Sequence, residues 1–437
     1  MAGLDCNALA LLVVRLESGQ PADGELCWHR WDEAPGAEPH GLPGEVGPSS
    51  GWQEPFKHLP GEDTLPYFNA HVERLLFPTD GGQGARWSCC PDRLYVDLAG
   101  KAGEPRRRAR VDLLERLTTP LDPGSTFGLI HLSLLPPEEP DAPDTLWWRW
   151  AIASPFHRRW ALSEFALRSA GERVDMDYRR PVRALAEQLF GDPDRYLERS
   201  LYTVLMAKCP TGIDEGEWRR ELAVPARSHA SDELAEEREN RQTVWLTQTP
   251  GLLLGRSAVF TAGGSITVPN ARNLRSYWAE SIVLGLLQQD CLEGFQRRLA
   301  NVGDLLDPDV KELRRDWLEF RNVLWWSQLS SSEIPQQLVS RLRHELGTSS
   351  LFTELEEDLA VYSDYQHQVF EEDQTRALAN LQIYGSAIVV LGTLLTAIGL
   401  FAATEAQRAI LVGASVLVAA GILQLVPVLL RRQDASR

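Results

Sequence analysis

Two apolar runs near the C-terminal end dominate the hydrophobic pattern of this chain. Residues 383–403 and 409–430 contain no Asp, Glu, Lys or Arg over 21 and 22 positions. Because an α-helix needs about 20 apolar residues to cross a bilayer, each run predicts a transmembrane helix. The intervening residues, 404–408, are so few that the two helices should form a tight hairpin.

Arginine predicts how this hairpin sits in the membrane. Arg376 precedes the first run and the tail 431–437 carries three arginines, whereas the connecting loop has Arg408 beside Glu405. Positive charge collects on the cytoplasmic side of a membrane protein. We therefore expect a multi-pass protein of the cell (inner or plasma) membrane with both termini, including the tail, in the cytoplasm.

The first 270 residues show the mixed pattern of a cytoplasmic α/β (α+β) domain. A helical pattern covers 180–197, and a hairpin is predicted from 252–262 and 265–268, joined at Gly263 and Gly264. Short apolar runs bounded by turn residues predict strands. These runs are 8–14, 94–98, 108–111, 127–135, 146–153 and 201–207.

From residue 271 the pattern becomes helical and stays so. Residues 271–347 predict antiparallel cytoplasmic helices, at 276–299, 308–328 and 334–346, the last ended by Gly347. Residues 348–403 lack proline, so they predict one stalk helix continuous with the first span. Apolar side chains along the stalk form a narrow seam typical of coiled coils. The seam residues are Leu355, Leu359, Tyr362, Tyr365 and Val369.

A stripe of small residues follows one face of the first span. Gly392, Thr396 and Gly399 recur at spacings of four and three, and Thr393 adds a hydroxyl near mid-span. Small residues let helices approach closely in lipid. Two interpretations are open: the stripe packs against the second span, or it faces a pore or a neighbouring copy.

Carboxylates are the candidate metal ligands of the stalk. Glu357 and Asp358 lie low on the helix, and Glu371, Glu372 and Asp373 lie closer to the membrane. Mg²⁺ prefers carboxylate and water oxygens, so rings of these acids in an oligomer would favour a divalent cation. The alternative is a solvated helix face.

Composition narrows the possible functions. Asp and Glu outnumber Lys and Arg by 61 to 44, a net charge of −17, so a nucleic-acid partner is not expected. The six cysteines show neither a CxxC pair nor the spacing of a disulfide framework. The basic cluster at 106–110 predicts a charged strand edge.

No motif predicts catalysis. Residues 47–51 match G-x-S-x-G but lie in a Pro- and Gly-rich stretch instead of between a strand and a helix. The glycines of 80–84 resemble a phosphate loop, but no G-K-[ST] follows them. We therefore expect no enzyme and no bound cofactor, with Mg²⁺ or another divalent cation as the exception.

Two segments carry a resemblance to a known family. FRNVLWWSQLSS at 320–331 and LFTELEEDLAVYSDY at 351–365, followed by the two spans and the basic tail, resemble the CorA-type magnesium transporter superfamily. The resemblance covers about 240–437. It implies a homopentamer in the lipid bilayer, with the first span lining a central pore and a cytoplasmic funnel sensing divalent ions.

The outer end of the first span departs from that family. Its Gly-Met-Asn signature corresponds here to Gly399, Leu400 and Phe401, and Glu405 is the one acid at the outer mouth. The resemblance implies pore-lining positions at Gly392, Thr393, Thr396, Gly399 and Phe401. The leading hypothesis is a homo-oligomeric cation channel or transporter. The alternative is a membrane-anchored oligomeric sensor or effector on a CorA-like scaffold.

Overall fold

One large β-sheet occupies the N-terminal part of the chain. We describe it from a computed structural model. The described residues are 6, 8–17, 26, 28–30, 68–69, 72, 75–76, 84–91, 93–99, 107–118, 126–135, 164–169, 172–178, 180–191, 201–223, 243–246, 249–254, 256–263, 265–267, 271, 273–302, 308–325, 329–330, 333–401, 404–406, 409–410 and 413.

The described strands are largely antiparallel. They are β1 (Ala8–Leu16), β2 (His29–Arg30), β3 (Ala85–Cys89), β4 (Leu94–Ala99), β5 (Arg107–Thr118), β6 (Thr126–Leu134), β7 (Glu164–Ser169), β8 (Glu172–Asp175), β9 (Tyr202–Lys208), β10 (Thr243–Leu246), β11 (Thr249–Leu254) and β12 (Ser257–Ala262). Their order is β10-β11-β12-β9-β1-β6-β5-β4-β7-β8, and β2 and β3 extend from the second half of β5. Among these strands, β9 and β12 are the parallel pair.

This sheet confirms most of the predicted strands. β1, β4 and β5 cover the apolar runs that predicted them, and β6 and β9 match theirs to within one residue at each end. β5 extends seven residues beyond its run, to Thr118. The run 146–153 lies outside the described residues. A mixed α and β architecture is therefore confirmed.

The predicted hairpin was wrong in its strand bounds and in the position of its turn. Residues 252–262 are not one strand, because Leu254 pairs with Ser257 and β11 turns there into β12. The long apolar run obscured this turn, since both strands are buried and neither shows the alternation of a half-exposed strand.

Helices pack on both faces of the sheet. Helix α1 (Pro181–Phe190) and helix α2 (Glu215–Ala223) cover one face, with Leu185, Phe190 and Trp218 in the same core cluster as alternate residues of β1, β5 and β6. The opposite face carries a π-helical turn, Leu274–Trp278, where Trp278 packs on Phe260 of β12 with ring centroids 4.9 Å apart.

The helical second half follows the prediction closely. Helix α3 spans Ala279–Ala300, α4 spans Pro308–Val323, and α5 spans Glu333–Glu345. Gly347 ends this series at a φ of 71°, a conformation that favours glycine.

The predicted stalk is one uninterrupted helix. Helix α6 spans Thr348–Phe401, 54 residues, which corresponds to roughly 80 Å at 1.5 Å per residue. By length and composition it is the one described helix able to cross a membrane, and none of its most apolar window is buried. The predicted second span, 409–430, lies outside the described residues apart from Ala409, Ile410 and Gly413.

The chain divides into two units within α6. One comprises 1–303 and 307–356, and the other comprises 304–306 and 357–437. Along the predicted seam, Leu355 and Leu359 are buried, Tyr362 and Val369 are half-buried, and Tyr365 is exposed.

Candidate functional site

The predicted pore residues lie on the apolar end of α6. Gly392, Thr393 and Thr396 are exposed helical positions. Gly399 and Phe401 lie further along the same helix. Glu405 is exposed just beyond the helix. Within the described residues, nothing lies within 4 Å of where a Cβ on Gly392 would sit, and the same holds for Gly385.

The two threonine hydroxyls are satisfied by their own helix. Thr396 Oγ1 donates to the carbonyl of Gly392 at 2.7 Å, and Thr393 Oγ1 donates to the carbonyl of Val389. Such i to i−4 bonds are common for Ser and Thr in helices. Because each hydroxyl proton already has an acceptor, these positions suit a lipid or helix contact as well as a wet pore.

The predicted metal-binding acids do not converge within one chain. Glu357 and Glu371 are 14 positions apart on one helix, which is about 21 Å along its axis. Glu371 lies 3.6 Å from His367, and Glu372 lies 3.4 Å from Arg376. Asp358 is exposed and Asp373 is half-buried. Among the described residues, no three His, Cys, Asp or Glu side chains are grouped to hold a metal ion.

A group of charges missed by the sequence reasoning is buried between the sheet and α3. Arg86 on β3 donates to Glu115 Oε1 on β5 at 2.6 and 3.0 Å, and to Glu280 Oε1 on α3 at 3.2 Å. His131 Nε2 on β6 lies 3.1 Å from Glu115 Oε2. These four side chains are at most 8% exposed.

The group continues along β5 towards the π-helical turn. Arg275 donates to Asp112 Oδ2 and, at 3.0 Å, to Ser133 Oγ, which itself donates to Asp112 at 2.6 Å. The half-buried Arg110 also contacts Asp112, with 2.7 Å between its Nε and Asp112 Oδ1. We call this set the buried charge network. It comprises Arg86, Asp112, Glu115, His131, Ser133, Arg275 and Glu280.

Two backbone irregularities position the network. The register of β5 against β6 shifts between Val111 and Leu113, a bulge that inserts Asp112. Opposite it, the π-helical turn Leu274–Trp278 precedes α3. Residues five apart in an α-helix point about 140° away from each other, whereas a turn closed by i to i+5 bonds brings them nearer to one face. Arg275 and Glu280 can thus both reach the sheet.

Burial and pairing set the protonation states of the network. Burial raises the pKa of Glu115, but the charge and hydrogen bonds of Arg86 and His131 have the larger, opposite effect and lower the pKa to about 2. Burial lowers the pKa of His131 more than Glu115 raises it, so the imidazole is neutral near pH 7. Its Nδ1 is buried and has no hydrogen-bond partner among the described residues.

The basic cluster at 106–110 does not form a strand edge. Arg107 and Arg108 lie on β5, which is paired with β4 on one side and β6 on the other. Arg108 contacts Asp97 at 2.7 Å, and Arg168 of β7 contacts the same carboxylate at 3.0 Å. The expectation of a charged edge was wrong because β7 and β8 continue the sheet beyond β4.

An aromatic junction holds the start of α6. The ring of Phe352 stacks between Trp325, at 4.3 Å, and Trp317, at 5.0 Å between centroids. Arg343 of α5 lies 4.3 Å over the Trp325 ring and donates to Gln288 of α3 at 2.7 Å. Trp325 and Phe352 belong to the two segments that carry the CorA-type resemblance.

Comparison with known proteins adds no relative. No family model, curated protein or solved structure matches the chain.

Proposed function

We propose that this chain is a CorA-like protein of the cell membrane that assembles as a homopentamer and conducts cations, Mg²⁺ among them. In this proposal both termini are cytoplasmic, residues 383–403 and 409–430 form the spanning hairpin, and the bilayer and the other copies are the partners. The observation that carries it is α6, a continuous 54-residue helix whose apolar end is exposed.

The glycines of α6 support close helix contacts in the membrane. A glycine inside a helix costs about 1 kcal/mol relative to alanine. Gly385 and Gly392 recover no packing within the described residues, since the space beside them is open there. Close approach of another helix would offset that cost, which fits a ring of stalk helices around a pore.

The threonine hydroxyl bonds are equally compatible with the alternative function, a membrane-anchored oligomeric sensor or effector. Hydroxyls bonded to the carbonyls of Val389 and Gly392 need no water. Phe401 also brings no ligand oxygen to the place where the resembled family carries asparagine. In this alternative the spans anchor the protein and conduct nothing.

Ion flux separates the two functions. Purified full-length protein is placed in liposomes loaded with a Mg²⁺-sensitive dye, and Thr396→Leu is compared with Thr396→Ser. A conduit predicts flux in the parent, loss with Leu because an apolar constriction dewets, and retention with Ser. Phe401→Asn should then alter the flux. Absence of flux in an intact pentamer would favour the sensor, and a monomer by native mass spectrometry would contradict both.

A further inference from the structure

The buried charge network contains one member that can change charge near neutral pH. Carboxylates and guanidinium groups stay charged there, whereas the unperturbed histidine pKa is about 6.5. His131 is 1% exposed and lies opposite Leu11 of β1 and Leu113 of β5. Its directly paired cross-strand neighbours are therefore apolar.

The charged groups around His131 come from two sides. Those of the sheet are Arg86, Asp112 and Glu115, and those of the helical side are Arg275 and Glu280. The nearby Cys90 thiol is neutral, because burial raises its pKa to about 11. Three carboxylates thus face two buried guanidinium groups, with Arg110 as a third, half-buried cation. A proton on the neutral imidazole of His131 adds a positive charge beside these groups.

The ring nitrogens explain why this proton is badly accommodated. Nε2 lies 3.1 Å from Glu115, so it serves as the donor in the neutral ring. A second proton must go to Nδ1, which is buried without a partner among the described residues. A buried donor without an acceptor is costly, so the protonated ring is better solvated when the helix moves off the sheet.

We propose that His131 makes the contact between the sheet and α3 a proton-sensitive latch, closed at neutral pH and released as the cytoplasm acidifies. Release would reach the other helices of this unit, because Gln288 of α3 donates to the Leu324 carbonyl and accepts from Arg343. The latch would operate whether or not the membrane spans conduct ions.

The direction of the pH effect follows from linkage. In the folded chain the pKa of His131 lies below its ordinary value of 6.5. The closed state therefore binds fewer protons than the open state, and its stability is complete above 6.5 and falls as the pH drops below it. If the ring stays neutral in the closed state, the equilibrium constant for opening rises about tenfold as the pH falls from about 7.5 to about 5.5.

Hydrogen exchange of the full chain in detergent micelles tests the latch. Peptides covering 274–300 are followed at both pH values, with rates corrected for intrinsic exchange. The parent should lose about tenfold in protection, as should the control His367→Gln, whose ring is exposed on α6. His131→Gln keeps a donor for Glu115 but does not titrate, so its protection should not change with pH.

Three results would overturn the proposal. They are unchanged protection in the parent, a full loss of protection in His131→Gln, and a loss in the parent that spreads equally over the α1 and α2 peptides, which would be global unfolding. His131→Phe is a second non-titrating variant, in case the glutamine does not fold.

Discussion

Two glycines on α3 offer a direct test of how the helices pack. Gly285 and Gly294 lie on the same helix, but only one of them faces a neighbour. A Cβ on Gly285 would sit 2.4 Å from Cδ2 and 3.1 Å from Cγ of Leu342 on α5. A Cβ on Gly294 would meet nothing within 4 Å among the described residues. The substitutions Gly285→Ala and Gly294→Ala thus differ in packing alone.

The two substitutions should change the free energy of unfolding differently. Replacing glycine by alanine inside a helix stabilises by about 1 kcal/mol, and Gly294→Ala should show this gain in full. Gly285→Ala gains the same helix stabilisation. However, its new methyl group forces the completely buried Leu342 against the other neighbours of that side chain. Overpacking of this kind costs about 1–3 kcal/mol. The net result for Gly285→Ala should lie between no change and a loss of about 2 kcal/mol.

Urea unfolding of the full-length variants in detergent, followed by tryptophan fluorescence, measures the difference. The two midpoints should move apart, with Gly294→Ala above the parent and Gly285→Ala at or below it. If Gly285→Ala were as stabilising as Gly294→Ala, then α3 and α5 would not be in the close contact described, and the packing argument would fail.

Three further predictions concern the network, the junction and the topology. Glu115→Gln should lower the free energy of unfolding by about 3–5 kcal/mol, because it leaves the charge of Arg86 poorly compensated in a buried site. In the parent, the Glu115 carboxylate takes up its proton between pH 4.5 and about 2, and its stabilising charge is lost there. The variant's stability should therefore depend less on pH in this range. Phe352→Ala should cost about 3 kcal/mol by removing the ring between two tryptophans, whereas Leu318→Ala, at a more exposed position of α4, should cost about 0.5 kcal/mol or less in the same urea titration. If both termini are cytoplasmic, a membrane-impermeant thiol reagent applied to intact cells should label Gln407→Cys and not Ser436→Cys; labelling of position 436 would reverse the proposed orientation.

The sequence alone determined the features that depend on local pattern. The lack of charge from 383 to 403 and the absence of proline predicted the long helix α6, and its observed start at Thr348 lies within two residues of the prediction. Apolar runs predicted β1 and β6 because burial on both faces favours apolar residues along most of each strand. Gly347 marked the end of α5 because few other residues adopt a positive φ.

The buried charge network was decided by tertiary structure. Asp112 and Glu115 lie on β5, but their partners Arg275 and Arg86 lie 163 and 29 positions away in the sequence. No periodicity encodes which distant cation meets a given carboxylate. The pairing depends on a bulge in β5 and a π-helical turn before α3, and both arise from packing and hydrogen bonding between elements that are far apart in the chain.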